Sequence, residues 1–253
     1  MWNDISSNVF DYLKHVKNER GAGYFVLIDP DRKNAESIED RVQTANENDV
    51  DAIFVGGSLM MDGKYHTRVE MIKKLSHIPV IFFPGGVNQL NSHYDAMLFM
   101  SILSGRNPHY LIGEQVIAAP LVKDAGIETI PTAYLLIDGG TTTTVEFMSG
   151  TMPIPNNRPD IAIAHALAAQ YLGMKMVYLE AGSGAKYPVS NDLISGVKQN
   201  ADVSLIVGGG IKTPEQAAEK VKAGADFIVT GTVIESESGS GLMKSFADAI
   251  HTK

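Results

Sequence analysis

Eight short apolar runs recur along the chain, each bounded by polar or turn-forming residues: "YFVLID" at 24–29, "DAIFVGG" at 51–57, "PVIFFPG" at 79–85, "DAMLFMS" at 95–101, "TAYLLID" at 132–138, "MVYLEAG" at 176–182, "SLIVGGG" at 204–210 and "DFIVTGT" at 226–232. Continuous runs of this length, rich in Val, Ile and Phe, predict strands buried on both faces of a parallel sheet. Most gaps between them carry helical spacing. In "TPEQAAEKVKAGA" at 213–225, Thr213 is a natural N-cap, Pro214 stands at the first helical position and Gly224 closes the helix. Residues 3–18 predict a further helix ahead of the first strand. Eight strand–helix units predict a TIM (β/α)8 barrel, an α/β fold, with that extra N-terminal helix. A doubly wound open sheet is the competing arrangement. The count of eight favours closure, as do the chemistry-bearing residues at the end of nearly every run. No linker or composition break divides the chain, so residues 1–253 read as one domain. The segment "GGTTTTVEFMSGTMPIPNNRPD" at 139–160 is a long irregular connection, of a kind that usually serves function.

Charge narrows the partners. The 253 residues carry a net charge of −8 and no Lys- or Arg-rich stretch, which argues against nucleic acid. An anionic substrate would have to be held by local backbone N–H groups, a few cations or a metal. No apolar run reaches the roughly 20 residues of a membrane span, so membrane contact is expected to be peripheral at most. The start of the chain lacks a cleavage signal, and there is no cysteine; both fit a cytoplasmic protein.

Three successive runs end in small residues: Gly182, Ser183 and Gly184 after the sixth, Gly208, Gly209 and Gly210 after the seventh, Gly231 and Thr232 after the eighth. Glycine lets the backbone approach a ligand closely, and the loops after strands 7 and 8 are the usual phosphate cradle of a TIM barrel. Tight strand-to-helix turns would use the same residues. "GGGIKT" at 208–213 fails as a P-loop, because Ile211 replaces the glycine before the lysine; "AGSGAK" lacks the third glycine of a dinucleotide fingerprint. The first run ends in "LIDPDR", with Asp29 and Asp31, and the second in "GGS", with Ser58. Asp29 and Ser58 are hard oxygen donors suited to Mg²⁺, although Asp-Pro-Asp is also a common turn. His165 reads as helix packing. Glu180 lies between the two anion-binding ends. A carboxylate is wrong for holding phosphate and right for orienting a hydroxyl or taking its proton.

These blocks resemble the geranylgeranylglyceryl phosphate synthase family, which includes the bacterial PcrB-type heptaprenylglyceryl phosphate synthases. "LIDPD", "VGGS", "NPHYLIGEQVIAAP", "GTMPIPNNRPDIAIAHALAAQYLGM", "VYLEAGSGA", "VGGGIKTPEQA" and "ADFIVTGT" carry the likeness, which spans most of the chain and is closest to the group II branch. The resemblance implies a prenyltransferase that joins sn-glycerol 1-phosphate to geranylgeranyl diphosphate, or a related polyprenyl diphosphate, through an ether bond, in ether phospholipid biosynthesis. It implies glycerol phosphate contacts at Tyr178, Leu179, Glu180, Ala181, Gly182, Ser183 and Gly184, at the triglycine, and at Gly231 and Thr232. Glu180 and Tyr178 are its expected catalytic residues, Asp29 and Ser58 its Mg²⁺ ligands. It also implies a homo-oligomer, with a hexamer as one form. Two positions depart from the pattern: Leu27 stands where other branches have Lys, and Gly231 is followed by Thr232 where many members have Asn. The prenyl tail needs an apolar groove, for which 81–85, 96–101 and 110–122 are candidates, residues that would otherwise be barrel core. Two other readings share the phosphate loops: a phosphosugar isomerase or lyase, and a non-catalytic phosphate-binding protein.

Overall fold

The computed structural model describes residues 2–236 and 240–253. Eight strands pair in parallel and in chain order: β1 (Gly23–Ile28), β2 (Ala52–Val55), β3 (Val80–Phe82), β4 (Ala96–Ile102), β5 (Glu128–Leu136), β6 (Met176–Glu180), β7 (Ser204–Gly208) and β8 (Phe227–Thr230). The ring closes between β8 and β1, from Gly23 beside Phe227 to Val26 beside Thr230. All eight apolar runs are strands, and the closed barrel displaces the open-sheet alternative.

The strands alternate between two cores, as their two-residue period requires. Phe25, Phe54, Leu98, Tyr134, Tyr178, Ile206 and Phe227 fill the barrel interior. Phe25 sits 4.9 Å from both Phe54 and Phe227, ring centre to ring centre. The intervening residues, among them Val26, Ile53, Leu179 and Val207, pack outward against the helices.

Those helices are α1 (Val9–Arg20), α2 (Ile38–Glu47), α3 (Tyr65–Leu75), α4 (Glu114–Ala125), α5 (Thr144–Ser149), α6 (Pro159–Tyr171), α7 (Asn191–Asn200), α8 (Pro214–Ala223), α9 (Thr232–Ser236) and α10 (Ser240–Ile250). Helix α8 follows its caps: the Thr213 side chain accepts from the Gln216 N–H, and Gly224 closes the helix in a left-handed conformation. The N-terminal helix begins later than residue 3, because Asn8 caps it by accepting from the Asp11 N–H; Trp2–Asp4 form a separate short turn. Helix α1 sends Val9, Tyr12, Leu13 and Val16 into the interior cluster and so plugs the barrel's N-terminal end. Its first turn is held by Glu128, whose carboxylate accepts from the N–H groups of Val9 at 2.5 Å and Phe10 at 3.0 Å.

The third unit departs from the repeat. Between β3 and β4 the chain forms only a short 3-10 turn, Val87–Gln89. "PGGVNQLNSHYD" has no helical apolar spacing and starts with a helix-breaking Pro-Gly-Gly. The β3–β4 connection therefore lays no helix over the outer face between these two strands. The 139–160 connection is less irregular than its composition suggests. It holds α5, capped by Thr143 and Gly150, and a bridge from Ile154 to Ile137.

A carboxylate on two orphan N–H groups at a helix start is a capping interaction aided by the helix dipole. Glu128→Ala should cost about 1 kcal/mol of stability, read as a lowered urea midpoint. An unchanged midpoint would mean that the plug does not depend on this cap.

Candidate active site

A cavity of about 780 Å³ opens at the C-terminal ends of the strands. Its chemistry starts from the period of β6: Tyr178 and Glu180 point inward, while Leu179 between them packs outward. Glu180 is 7% exposed, and its Oε1 accepts from the Gly182 N–H at 2.7 Å. Burial pushes its carboxyl above the ordinary value; Tyr178 and the Gly182 N–H oppose that, and burial prevails. The Tyr178 ring is fully buried, and its hydroxyl has no partner in hydrogen-bonding geometry among the described residues. An orphaned buried hydroxyl costs about 1–3 kcal/mol, so a native structure tolerates one where a ligand completes it.

The space beside this pair exists because β7 ends in glycine. A Cβ on Gly208 would sit 2.5 Å from the Tyr178 hydroxyl and 2.8 Å from Glu180 Oε2. One on Gly209 would strike Glu180 Oε1 and stand 2.6 Å from the Gly182 nitrogen. Gly209 and Gly210 adopt φ of 80° and 70°, and their N–H groups have no acceptor among the described residues. Successive N–H groups of this kind form an anion-binding concavity. Ser183 and Thr232 join hydroxyl to hydroxyl at 3.0 Å across the mouth, and Gly184, Gly231 and Lys212 line the same end.

Asp29 marks the opposite pole. Its Oδ1 accepts from the Asp31 N–H at 3.2 Å and its Oδ2 lies 3.6 Å from Lys33 Nζ. Burial raises its carboxyl; Lys33 lowers it, and Glu235 nearby raises it further. Asp31 is engaged elsewhere, accepting from the Met61 N–H at 3.1 Å. Ser58 is exposed and lines the cavity with Asp29. A Cβ on Gly57 would stand 2.5 Å from Asp29 Oδ1, so glycine is required for the loop to pass this close. One carboxylate and one hydroxyl fit a hard cation such as Mg²⁺. Among the described residues no group of three or more His, Asp or Glu converges, so such a cation would complete its shell from substrate oxygens and water.

From these poles the cavity runs sideways along an apolar wall. Met100 and Ile102 face it from inside the barrel, while Met97 and Phe99 face it from the outer side of β4. The groove thus passes over the sheet where the third helix is missing, and Phe83, Val87, Leu90, Tyr110 and Ala118 line it.

Of the residues expected from sequence, Tyr178, Glu180, Ser183, Gly184, Gly209, Gly210, Gly231, Thr232, Asp29 and Ser58 all line this one cavity. Four expected contacts, Leu179, Ala181, Gly182 and Gly208, stand behind it. The side chains of Leu179 and Ala181 are in the outer core, the Ala181 N–H donates to Gly208 O at 3.0 Å, and the Gly182 N–H is taken by Glu180. His165 stays on α6, bonded to Ile161 O at 2.7 Å. Sequence reading missed Lys33, Lys212 and Tyr134. Tyr134 was within reach of it, because it pairs with Tyr178 in register and so must also point inward.

Fold and site together define a TIM-barrel protein built to hold a phosphorylated hydroxyl compound next to an apolar chain. The model of the PcrB family matches residues 14–250, and the chain belongs to that family. It is 46% identical over 228 residues to the geranylgeranylglyceryl phosphate synthase of Chitinophaga pinensis, covering 90% of each chain. It is 50% identical over 222 residues to that of Thermococcus kodakarensis, covering 87% of each. Among solved structures it superposes with TM-score 0.90 and 36% identity on (S)-3-O-geranylgeranylglyceryl phosphate synthase from Thermoplasma acidophilum in complex with sn-glycerol-1-phosphate, covering 96% of this chain and 98% of that one.

A buried acid with a raised pKa favours its protonated form, so keeping Glu180 ionised costs stability above the ordinary carboxylate range. That cost fades as pH falls and the unfolded chain also becomes protonated. Glu180→Gln should therefore raise Tm at neutral pH, with a gain that shrinks toward acid pH. A lowered Tm at neutral pH would contradict the burial argument.

Proposed function

We propose that the protein is a geranylgeranylglyceryl phosphate synthase. It joins the C3 hydroxyl of sn-glycerol 1-phosphate to C1 of geranylgeranyl diphosphate, or a related polyprenyl diphosphate, and releases diphosphate. One observation carries this reading: buried Glu180, beside the unpartnered hydroxyl of Tyr178, stands between a backbone-built phosphate cradle and the Asp29 pole, with an apolar groove leading away. Family membership and the relatives' shared name support it.

The N–H groups of Gly209 and Gly210, with Ser183 and Thr232, receive the glycerol phosphate. Anchoring that phosphate sets the glycerol hydroxyls against Glu180 and Tyr178. Glu180 orients the C3 hydroxyl and accepts its proton as the new O–C1 bond forms. The C1–O bond breaks, and the diphosphate leaves with its electron pair. Asp29 and Ser58 are the residues to hold Mg²⁺, whose chemistry is to neutralise the diphosphate and make it a better leaving group. Leu27 lies against Gly231, so no cation reaches the diphosphate from that position; Lys33 beside Asp29 supplies one from the next turn. Holding both substrates in one cavity makes the reaction effectively unimolecular. The apolar groove receives the tail.

The isomerase or lyase reading fits less well. Among the described residues no strand contains a lysine, and the apolar groove would have no use.

The remaining features belong to the same proposal. The enzyme acts in the cytoplasm and meets membrane only peripherally; no described helix is long and apolar enough to cross one. It assembles as a homo-oligomer, supported by exposed Ile112, Val116, Ile117 and Leu121 around α4 and by Phe147, which is 80% exposed on α5. Apolar patches of this kind mark interfaces.

The test is incubation with labelled sn-glycerol 1-phosphate, geranylgeranyl diphosphate and Mg²⁺, followed by extraction into butanol. Label should move to the butanol phase, and should stop moving when Mg²⁺ is chelated or in a folded Asp29→Ala variant. No transfer by the wild type with any polyprenyl diphosphate would refute the activity. Full Mg²⁺-dependent transfer by Asp29→Ala would remove that residue from the metal site.

A further inference from the structure

Asn34 has no place in the chemistry described so far, yet it is buried at 7% exposure and bonds to both Asp29 and Glu235. It ends the short turn Arg32–Asn34 that follows β1. Its backbone is fixed on both sides: its N–H donates to Asp31 O, and its C=O accepts from the N–H and the hydroxyl of Ser37, all at 3.0 Å. Its side-chain amide donates to Asp29 O at 2.9 Å and to Glu235 Oε1 at 3.1 Å. Glu235 lies three residues beyond Thr232, and its N–H donates to Gly231 O at 3.1 Å. On its other side Arg41 donates to Glu235 O at 3.3 Å. A continuous path of hydrogen bonds therefore runs from the Gly231–Thr232 turn, through Glu235 and Asn34, to the backbone of the metal-pole carboxylate.

We propose that Asn34 is a positioning residue that couples the two substrate sites: glycerol phosphate at the Gly231 end helps to set Asp29 for the diphosphate end, and the reverse. The inference rests on the functional reading above. Coupling between two binding sites is reciprocal, so it is measurable from either side. Two anions bound in one cavity repel each other directly. Tightening carried by the protein would run through this bridge, which joins the Gly231–Thr232 turn to Asp29. A brace without coupling would change each affinity by the same factor whether or not the other site is filled.

The test is titration calorimetry of sn-glycerol 1-phosphate into the protein, with and without Mg²⁺ and inorganic pyrophosphate as the probe of the second site. The measured quantity is the ratio of the two Kd values. Asn34→Ala and Glu235→Ala cut the bridge at different atoms, so the test survives if one of them fails to fold, which a melting curve checks. Glu235→Gln keeps an acceptor oxygen and removes the charge. The ratio should favour the wild type over both alanine variants by about fivefold, the lower end of ordinary coupling. Glu235→Gln should stay closer to the wild type than either alanine variant does, because an acceptor oxygen for Asn34 remains. Folded alanine variants with the wild-type ratio would overturn the proposal. So would a Gln variant that behaves like the alanines. Failure of the wild type to bind sn-glycerol 1-phosphate at all would instead refute the functional reading.

Discussion

A carboxylate held at the last inward position of β6, nearly out of contact with water, sets the terms for the rest of the site. Glu180 receives one backbone N–H and stands beside a hydroxyl that is itself unpartnered. Such a group is expensive to bury ionised, and no lysine or arginine among the described residues pairs with it. The arrangement is stable only because the surrounding barrel fixes it. The β7 glycines leave no side chain to fill the space, and the Phe83 and Tyr134 rings wall it at 5.5 and 5.6 Å from the Tyr178 ring. What would complete the pair is a hydroxyl donor, and the loops around it are shaped to deliver one by its phosphate.

Two further features follow from handling a molecule that is anionic at one end and oily at the other. The chain is acidic, with 21 Lys and Arg against 29 Asp and Glu, so its overall field does not favour an anion. Free backbone N–H groups offer an anion a local partner without net charge, and Lys33 and Lys212 line the same cavity. The oily end is served by an omission. With no helix after β3, Met97 and Phe99 on the outer face of β4 also form groove wall. A loss of regular structure in the third unit thus creates the room that a long apolar chain needs.

The fold was legible because its signals are local. Runs of β-branched and aromatic residues marked every strand, and Thr213, Pro214 and Gly224 marked both ends of α8. The start of α1 was misplaced because the Asn8 cap outweighs the apolar residues before it. The cavity's lining was legible where it follows strand ends, which is where Asp29, Glu180, Gly209, Gly210 and Gly231 lie. Along β6 the strand's period sends the side chains of Leu179 and Ala181 away from the cavity, which a run of consecutive residues in the sequence does not reveal. The Asn34 bridge was invisible for a different reason: Asn34 and Glu235 are 201 positions apart, and only closure of β8 onto β1 brings them together. No motif at either position announces the contact.

The central claim is that Glu180 reads and deprotonates a glycerol hydroxyl, and the most direct test compares sn-glycerol 1-phosphate with its 3-phosphate enantiomer in the wild type and in Glu180→Gln. The amide keeps the shape and loses the base. The account requires kcat to fall by about 10²–10⁴-fold, and the preference for the 1-phosphate to narrow, while glycerol phosphate binding changes less because the cradle is separate. A Gln variant with wild-type kcat and an unchanged enantiomer preference would contradict it, leaving Glu180 as no more than a brace for the Gly182 turn.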